Sequence, residues 1–286
     1  MPIINQIVKG GGSPAPAQIP NYYPKLTVNQ NGELVHDYSQ TVFSTAPATD
    51  IVDVGLYYGA FTNFNDPNSP YYNLQTVNLD SLEHISSGDE CFAQAFQSVR
   101  TITSFSAANL IDINAGGVFT NAFSNVDNGA SANYVTTFSF PALVDLFGTA
   151  IFQEAWYNNM RITTLSFPLL ETVGGDCFAY ACNSSPLVSS ASFPSLIGVS
   201  NGDFAYAFAN ISPSTYDLPT HTLTLTFGGT DPIDFGGNVD CFDNMLDGTD
   251  IDVTINAPLA SQSDFEQMTG YPDFGCTGTV TWNWQS

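Results

Sequence analysis

Short runs in which apolar residues alternate with small polar ones recur along the chain. Each run is followed by an apolar step and then by a pair of aromatics. The successive segments are LQTVNLDSLEHISSGDECFAQAF from Leu74, ITSFSAANLIDINAGGVFTNAF from Ile102, VTTFSFPALVDLFGTAIFQEAW from Val135, ITTLSFPLLETVGGDCFAYAC from Ile162 and VSSASFPSLIGVSNGDFAYAF from Val188. The period of two predicts one strand per segment, with Val77/Leu79, Phe138/Phe140, Leu165/Phe167 and Leu225/Phe227 facing inward. The step that follows is three residues long: Leu82/Ile85, Leu110/Ile113, Leu143/Leu146, Leu170/Val173 and Leu196/Val199. The pairs Phe92/Phe96, Phe119/Phe123, Phe152/Trp156, Phe178/Cys182 and Phe204/Phe208 are four apart, which predicts both members on one face of a short helical turn. Two weaker copies flank these, LYYGAF at 56–61 and HTLTLTF at 221–227 running on to CFDNML at 241–246, and IDVTIN at 251–256 reads as a further strand.

The first members of the aromatic pairs step by 27, 33, 26 and 26 residues. A period in this range marks a solenoid or a propeller, and one strand per unit excludes four-stranded blades. A strand plus a short helical turn is the unit of a leucine-rich repeat. The expected fold is therefore a β-rich α/β solenoid, with Phe61, Phe96, Phe123, Trp156 and Phe208 stacking along its axis. The copies SFPALVDL, SFPLLETV and SFPSLIGV, with aromatic turns such as DCFAYAC and GDFAYAF, resemble the BspA-type (Treponema-like) leucine-rich repeat over roughly residues 51–256. That resemblance implies a surface, adhesion or recognition module. The units depart from it in length, 33 residues in one step and 38 in the last, and the extra residues (NVDNGASAN at 125–133, ISPSTYDLPTH at 211–221) are expected as loops on one side.

The ends differ from the repeats. Residues 1–50 read as an extended arm: Gly10-Gly11-Gly12-Ser13 is flexible, Pro14, Pro16, Pro20 and Pro24 favour extended backbone, and LTVNQNGELV predicts a hairpin. One hairpin is not stable alone, so the arm is expected to lie on a partner through Ile3, Ile4, Ile7, Val8, Tyr22 and Tyr23. Residues 257–286 read as a C-terminal cap. Ser261 with Asp264 opens a short helix running to Met268, stopped by Gly270 and Pro272, and Val280, Trp282 and Trp284 share one face of a last strand as a lid. No signal-peptide pattern and no apolar run long enough to span a membrane is read.

Lys+Arg number 4 and Asp+Glu 27, a net charge of −23, so phosphate backbones and anionic lipid are repelled: nucleic-acid and membrane partners are not expected. Charged residues are only 11% of the chain, so most of the surface is neutral and polar. The outward strand positions follow suit: Thr76/Asn78, Ser104/Ser106, Thr137/Ser139, Thr164/Ser166, Ser190/Ser192 and Thr224/Thr226. They form either a recognition surface for a glycan or protein, a face against a symmetry mate, or a solvated sheet face whose Thr and Ser serve strand propensity.

Catalytic chemistry finds little support. His36, His84 and His221 lie in no GxSxG or HExxH context, and no phosphate-binding glycine loop is present. The five cysteines have no metal-ligand spacing and read as small buried hydrophobes. Asp243, Asp247, Asp250 and Asp252 do not match an EF-hand loop and read as a solvated acidic loop. No cofactor, metal or catalytic residue is expected. Three functions remain. The first is a non-enzymatic virion protein (head fibre, capsid decoration or tail-fibre component), bound to capsid or other virion proteins by its arm and projecting an adhesion solenoid. MPIINQIVKGGGS is similar to the short attachment arms of phage appendage proteins, and such arms work in symmetric sets, which implies a homo-oligomer. The alternatives are a bacterial surface adhesin of the BspA-like kind, placed outside the cell, and a polysaccharide-degrading enzyme.

Overall fold

The computed structural model describes residues 26–28, 34–36, 42–45, 48–59, 61, 74–99, 101–125 and 135–286. The arm residues Ile3, Ile4, Ile7, Val8, Tyr22 and Tyr23 and nearly all of the 125–133 insertion lie outside the described residues. In chain order the strands are β1 (Leu26–Val28), β2 (Leu34–His36), β3 (Val42–Ser44), β4 (Asp50–Ile51), β5 (Thr76–Asn78), β6 (His84–Ile85), β7 (Ser104–Ser106), β8 (Asp112–Ile113), β9 (Thr137–Ser139), β10 (Asp145–Leu146), β11 (Thr164–Ser166), β12 (Thr172–Val173), β13 (Ser190–Phe193), β14 (Leu223–Phe227), β15 (Val253–Pro258) and β16 (Val280–Gln285).

The chain is β-rich, with parallel sheets and very few helices. β1 and β2 form the expected antiparallel hairpin, Thr27 opposite Val35. Every other pairing is parallel. One set of strands builds a three-stranded sheet, β3-β5-β7, and a six-stranded sheet, β9-β11-β13-β14-β15-β16. The two-residue strands β4-β6-β8-β10-β12 build a second ladder, which bridges Thr172–Gly198 and Gly198–Asp234 carry onward. Equivalent positions of successive segments pair directly, as in Leu165 with Phe138 and with Ala191. The proline of each SFPxL motif ends the first strand because it has no N–H to give a ladder. The apolar step that follows then buries Leu143, Leu170 and Leu196.

The aromatic segments are not helical, which corrects the expectation of a helical turn in each repeat. They are ribbons of overlapping turns with a left-handed residue at every fourth position: Glu90, Gln94 and Ser98; Ala150, Glu154 and Asn158; Asp176, Tyr180 and Ser184. Alternate N–H groups close turns inside the ribbon, as Ala93 N–H to the Glu90 carbonyl (3.0 Å) and Ala95 N–H to Phe92 (3.0 Å). The others reach the next segment: Phe92 to Val118 (3.0 Å), Phe119 to Ile151 (2.7 Å), Phe152 to Cys177 (2.8 Å), Phe178 to Asp203 (2.8 Å) and Phe204 to Cys241 (2.8 Å). A helix would spend nearly all of its N–H groups internally and leave no ladder between segments. The turn ribbon keeps half of them for its neighbours, at a cost of about 1 kcal/mol per left-handed non-glycine residue.

The four-residue period returns both aromatics of a pair to the inside. Their first members form one nearly continuous column. Tyr57–Phe92, Phe92–Phe119, Phe119–Phe152, Phe152–Phe178, Phe178–Phe204 and Phe204–Phe242 are stacked with centroids 5.1–5.4 Å apart. The second members stack only at Phe61–Phe96 and Phe96–Phe123; beyond that, Phe138 tilts between Phe123 and Trp156. A further column runs up the strand ends, Phe140–Phe167–Phe193–Phe227, with its rings edge-on to the first. All belong to one apolar core from Phe43 to Phe274.

At the C-terminal end a four-residue helix, α1 (Gln262–Phe265), follows a 3-10 turn. Ser261 does not cap it with its side chain; its hydroxyl instead accepts from Ile233 N–H at 2.8 Å. Phe274 continues the ribbon ladder, its carbonyl accepting from Leu246 N–H at 3.0 Å. Trp282 and Trp284 stack at 4.8 Å over Phe265, and the Trp282 indole donates to the Pro272 carbonyl at 3.0 Å.

Candidate functional site: a neutral hydroxyl and amide face

The outward residues of the long sheets fall into two columns because the strands are parallel and in register. One column reads Thr76–Ser104, then Thr137–Thr164–Ser190–Thr224–Thr254–Thr281. The other reads Ser44–Asn78–Ser106, then Ser139–Ser166–Ser192–Thr226–Asn256–Asn283. Adjacent rows are spaced by the ladder, about 4.8 Å, and the two columns by two residues of strand, about 6.7 Å. All twelve outward residues singled out by alternation lie on these sheets and none is buried; Ser104 and Thr137 are the most open. Alternation in IDVTIN and TVTWNWQS already carried the signal for Thr254, Asn256, Thr281 and Asn283, which complete the columns.

What the hydroxyls bond to separates face from frame. Residues at the strand entrances serve the backbone: Thr163 Oγ1 donates to the Thr136 carbonyl (3.0 Å), Ser189 Oγ to Thr163 (3.2 Å) and Thr103 Oγ1 to Gln75 (3.3 Å). On the face, Asn256 Nδ2 donates to Thr226 Oγ1 (3.2 Å) and Asn283 Nδ2 to Asn256 Oδ1 (3.2 Å). At the other end Asp80 ties the columns down, accepting from the Ser106 hydroxyl and donating its N–H to Asn78 Oδ1 (2.9 Å). Between these ends Thr137, Ser139, Ser166, Ser190, Ser192 and Thr224 have no side-chain hydrogen bond to a described residue, whereas the Thr164 hydroxyl lies 3.5 Å from that of Thr163.

Apart from Asp80 at the end of the columns, the titratable groups described next sit elsewhere. His84 lies in register between Asp50 and Asp112 on the second ladder, and its Nδ1 meets Asp112 Oδ2 at 2.8 Å. That hydrogen bond, with the negative charge of Asp112, Asp50 and Glu83 around it, raises the imidazole above its ordinary value. The neighbouring Ser86 hydroxyl is turned to Asp50 Oδ2 (2.7 Å) rather than to the imidazole. His221 Nε2 bonds the Val188 carbonyl (2.8 Å). The acidic residues of 231–252 are spread among separate partners: Asp250 accepts from Ser212 (2.7 Å) and Ser214 (2.8 Å), Asp243 from Asn244 (2.9 Å) and Asp252 from Thr279 N–H (3.3 Å). Among the described residues no group of three His, Cys, Asp or Glu side chains is set to hold a metal ion, and no helix is long and apolar enough to cross a membrane. The cysteines are all free thiols, four of them buried.

Compared with known proteins, the chain matches no family model, no curated protein and no solved structure.

Proposed function

We propose that the protein is a non-enzymatic virion structural protein, a phage head fibre, capsid decoration or tail-fibre component, whose solenoid of BspA-type leucine-rich repeats presents its hydroxyl and amide face to a neutral glycan on a host surface. The observation that carries the recognition role is the set of outward hydroxyls Thr137, Ser139, Ser166, Ser190, Ser192 and Thr224, which have no side-chain hydrogen bond to a described residue. A flat face without charged side chains suits an uncharged, hydroxyl-rich polymer, whose many donors and acceptors a rigid parallel array can meet at low ordering cost. The arm, through Ile3, Ile4, Ile7, Val8, Tyr22 and Tyr23, anchors the chain to capsid or other virion proteins in a symmetric set. A BspA-like bacterial adhesin would use the same face with a different anchor.

The test has two arms. Neutral bacterial cell-surface polysaccharides are immobilised, and binding is measured for the full chain and for Ser166→Lys/Ser192→Lys. Wild-type binding is expected to change little with salt, because no ion pairs form it, while the variant loses at least tenfold in affinity with an unchanged circular dichroism spectrum. A chain lacking residues 1–24 is expected to keep the binding and to stop co-purifying with its assembly. Equal binding by the face variant contradicts the recognition role; continued assembly without the arm contradicts the anchoring.

A further inference from the structure

Asp203 stands where the fold puts apolar side chains. The ribbon residue just before each first aromatic is Cys91, Val118, Ile151, Cys177, Asp203 and Cys241 in successive segments, and all six are fully buried, at 0% exposure. They are aligned by the ladder that joins Phe152 N–H to Cys177, Phe178 N–H to Asp203 and Phe204 N–H to Cys241. The Asp203 carboxyl is held by two backbone donors, Ser200 N–H (2.5 Å) and Cys177 N–H (3.3 Å). The titratable groups around it are Asp176 and Cys177 on the preceding segment and Cys241, with Asp240 beside it, on the following one. All are acidic or neutral, so ionising Asp203 would place a negative charge in the core with two N–H dipoles and no cation among the described residues acting on it.

We infer that the segment carrying Asp203 is a pH-sensitive joint in the stack, closed while the buried carboxyl keeps its proton and opened locally when the proton leaves. Burial pushes the carboxyl up from 3.8 to about 8, against the two backbone donors that pull it down. The direction follows from linkage. An unfolded or opened segment ionises near 3.8, and the closed one only near 8. The closed form is therefore favoured fully below the first value and loses ground as pH climbs between the two. One proton leaves per opening, so the open fraction rises about tenfold per pH unit over most of that window and levels off near the upper value.

The chain carries its own reporters. Cys177 and Cys241 flank Asp203, whereas Cys91 lies four places along the same column. Thiol labelling of the full chain from pH 5 to 9, mapped by mass spectrometry and divided at each pH by the rate on the denatured chain, reads the opening at each site. The expected result is a rise of about tenfold per pH unit up to about pH 8 at Cys177 and Cys241 and a flat profile at Cys91. Asp203→Asn is expected to flatten the first pair. If that variant does not fold, the comparison of Cys177 and Cys241 with Cys91 within the wild-type chain decides. A rise shared by Cys91, no rise at all, or a rise that persists in Asp203→Asn overturns the joint.

Discussion

Phe152→Ala is expected to lower the free energy of unfolding by about 3–5 kcal/mol. Phe152 is fully buried at the crossing of the two long aromatic columns. It stacks on Phe119 (5.2 Å) and Phe178 (5.4 Å) and meets Phe140 (5.1 Å) and Phe167 (5.5 Å) edge-on, with Trp156 at 5.4 Å. Its neighbours cannot close the gap, because each is fixed by the backbone ladder of its own segment. The loss therefore combines the transfer term with a cavity that stays open. Stacked segments share stability with their nearest neighbours, so the loss should appear as earlier melting on both sides of residue 152 rather than as a single frayed end. Urea unfolding followed by tryptophan fluorescence measures the first effect and hydrogen exchange the second. A loss below about 1 kcal/mol would mean that the column is not packed as described.

Gly148→Ala and Gly174→Ala are expected to be as severe, about 3 kcal/mol or more each, for a different reason. At Gly148 an added Cβ would lie against the carbonyl oxygen of Ala115, and at Gly174 against that of Gly148 itself. Both obstacles are backbone, so no side-chain rotamer relieves them. The two sites mark the corner where the second ladder turns into the aromatic ribbon, and there the backbones of these segments approach closely. Gly175→Ala provides the contrast: its Cβ would meet only the Asn201 carbonyl, at an ordinary 3.7 Å, and the change should cost far less. Melting temperatures of the three variants check the ranking. Equal tolerance at all three would show that the corner is looser than it stands here.

The strands and their facing were legible because alternation has a period of two in any parallel sheet, and because SFPxL marks the strand end with a residue that cannot continue it. The aromatic ribbon was not. A spacing of four fits one face of a helix and a four-residue turn repeat equally well. Some of the left-handed positions that tell them apart do carry Gly or Asn, as at Gly117, Asn121, Asn158, Gly202, Asn210 and Gly248, but Glu90, Gln94, Glu154, Asp176, Tyr180 and Tyr206 fill the others. Register between segments forces that backbone at the other positions, and local propensity gives only a partial warning of it. Asp203 illustrates the converse. Aligning GDFAYAF with DCFAYAC places it on Cys177, but in a chain of net charge −23 one more aspartate reads as surface. The outward hydroxyls were readable one strand at a time. Their continuity into two columns, and the contrast with the hydroxyls spent on backbone carbonyls, needed the register.

Everything described here depends on consecutive segments stacking in parallel, one strand per step. Spin labels at Thr137 paired with Thr254 and with Thr281, each changed to cysteine in a chain carrying Cys276→Ser, measure this directly by pulsed dipolar spectroscopy. The strands holding these residues are four and five ladder steps apart. The account predicts narrow distance distributions centred at about 19 Å and about 24 Å, growing by one inter-strand spacing per step. Broad distributions, or a second distance no longer than the first, would contradict it.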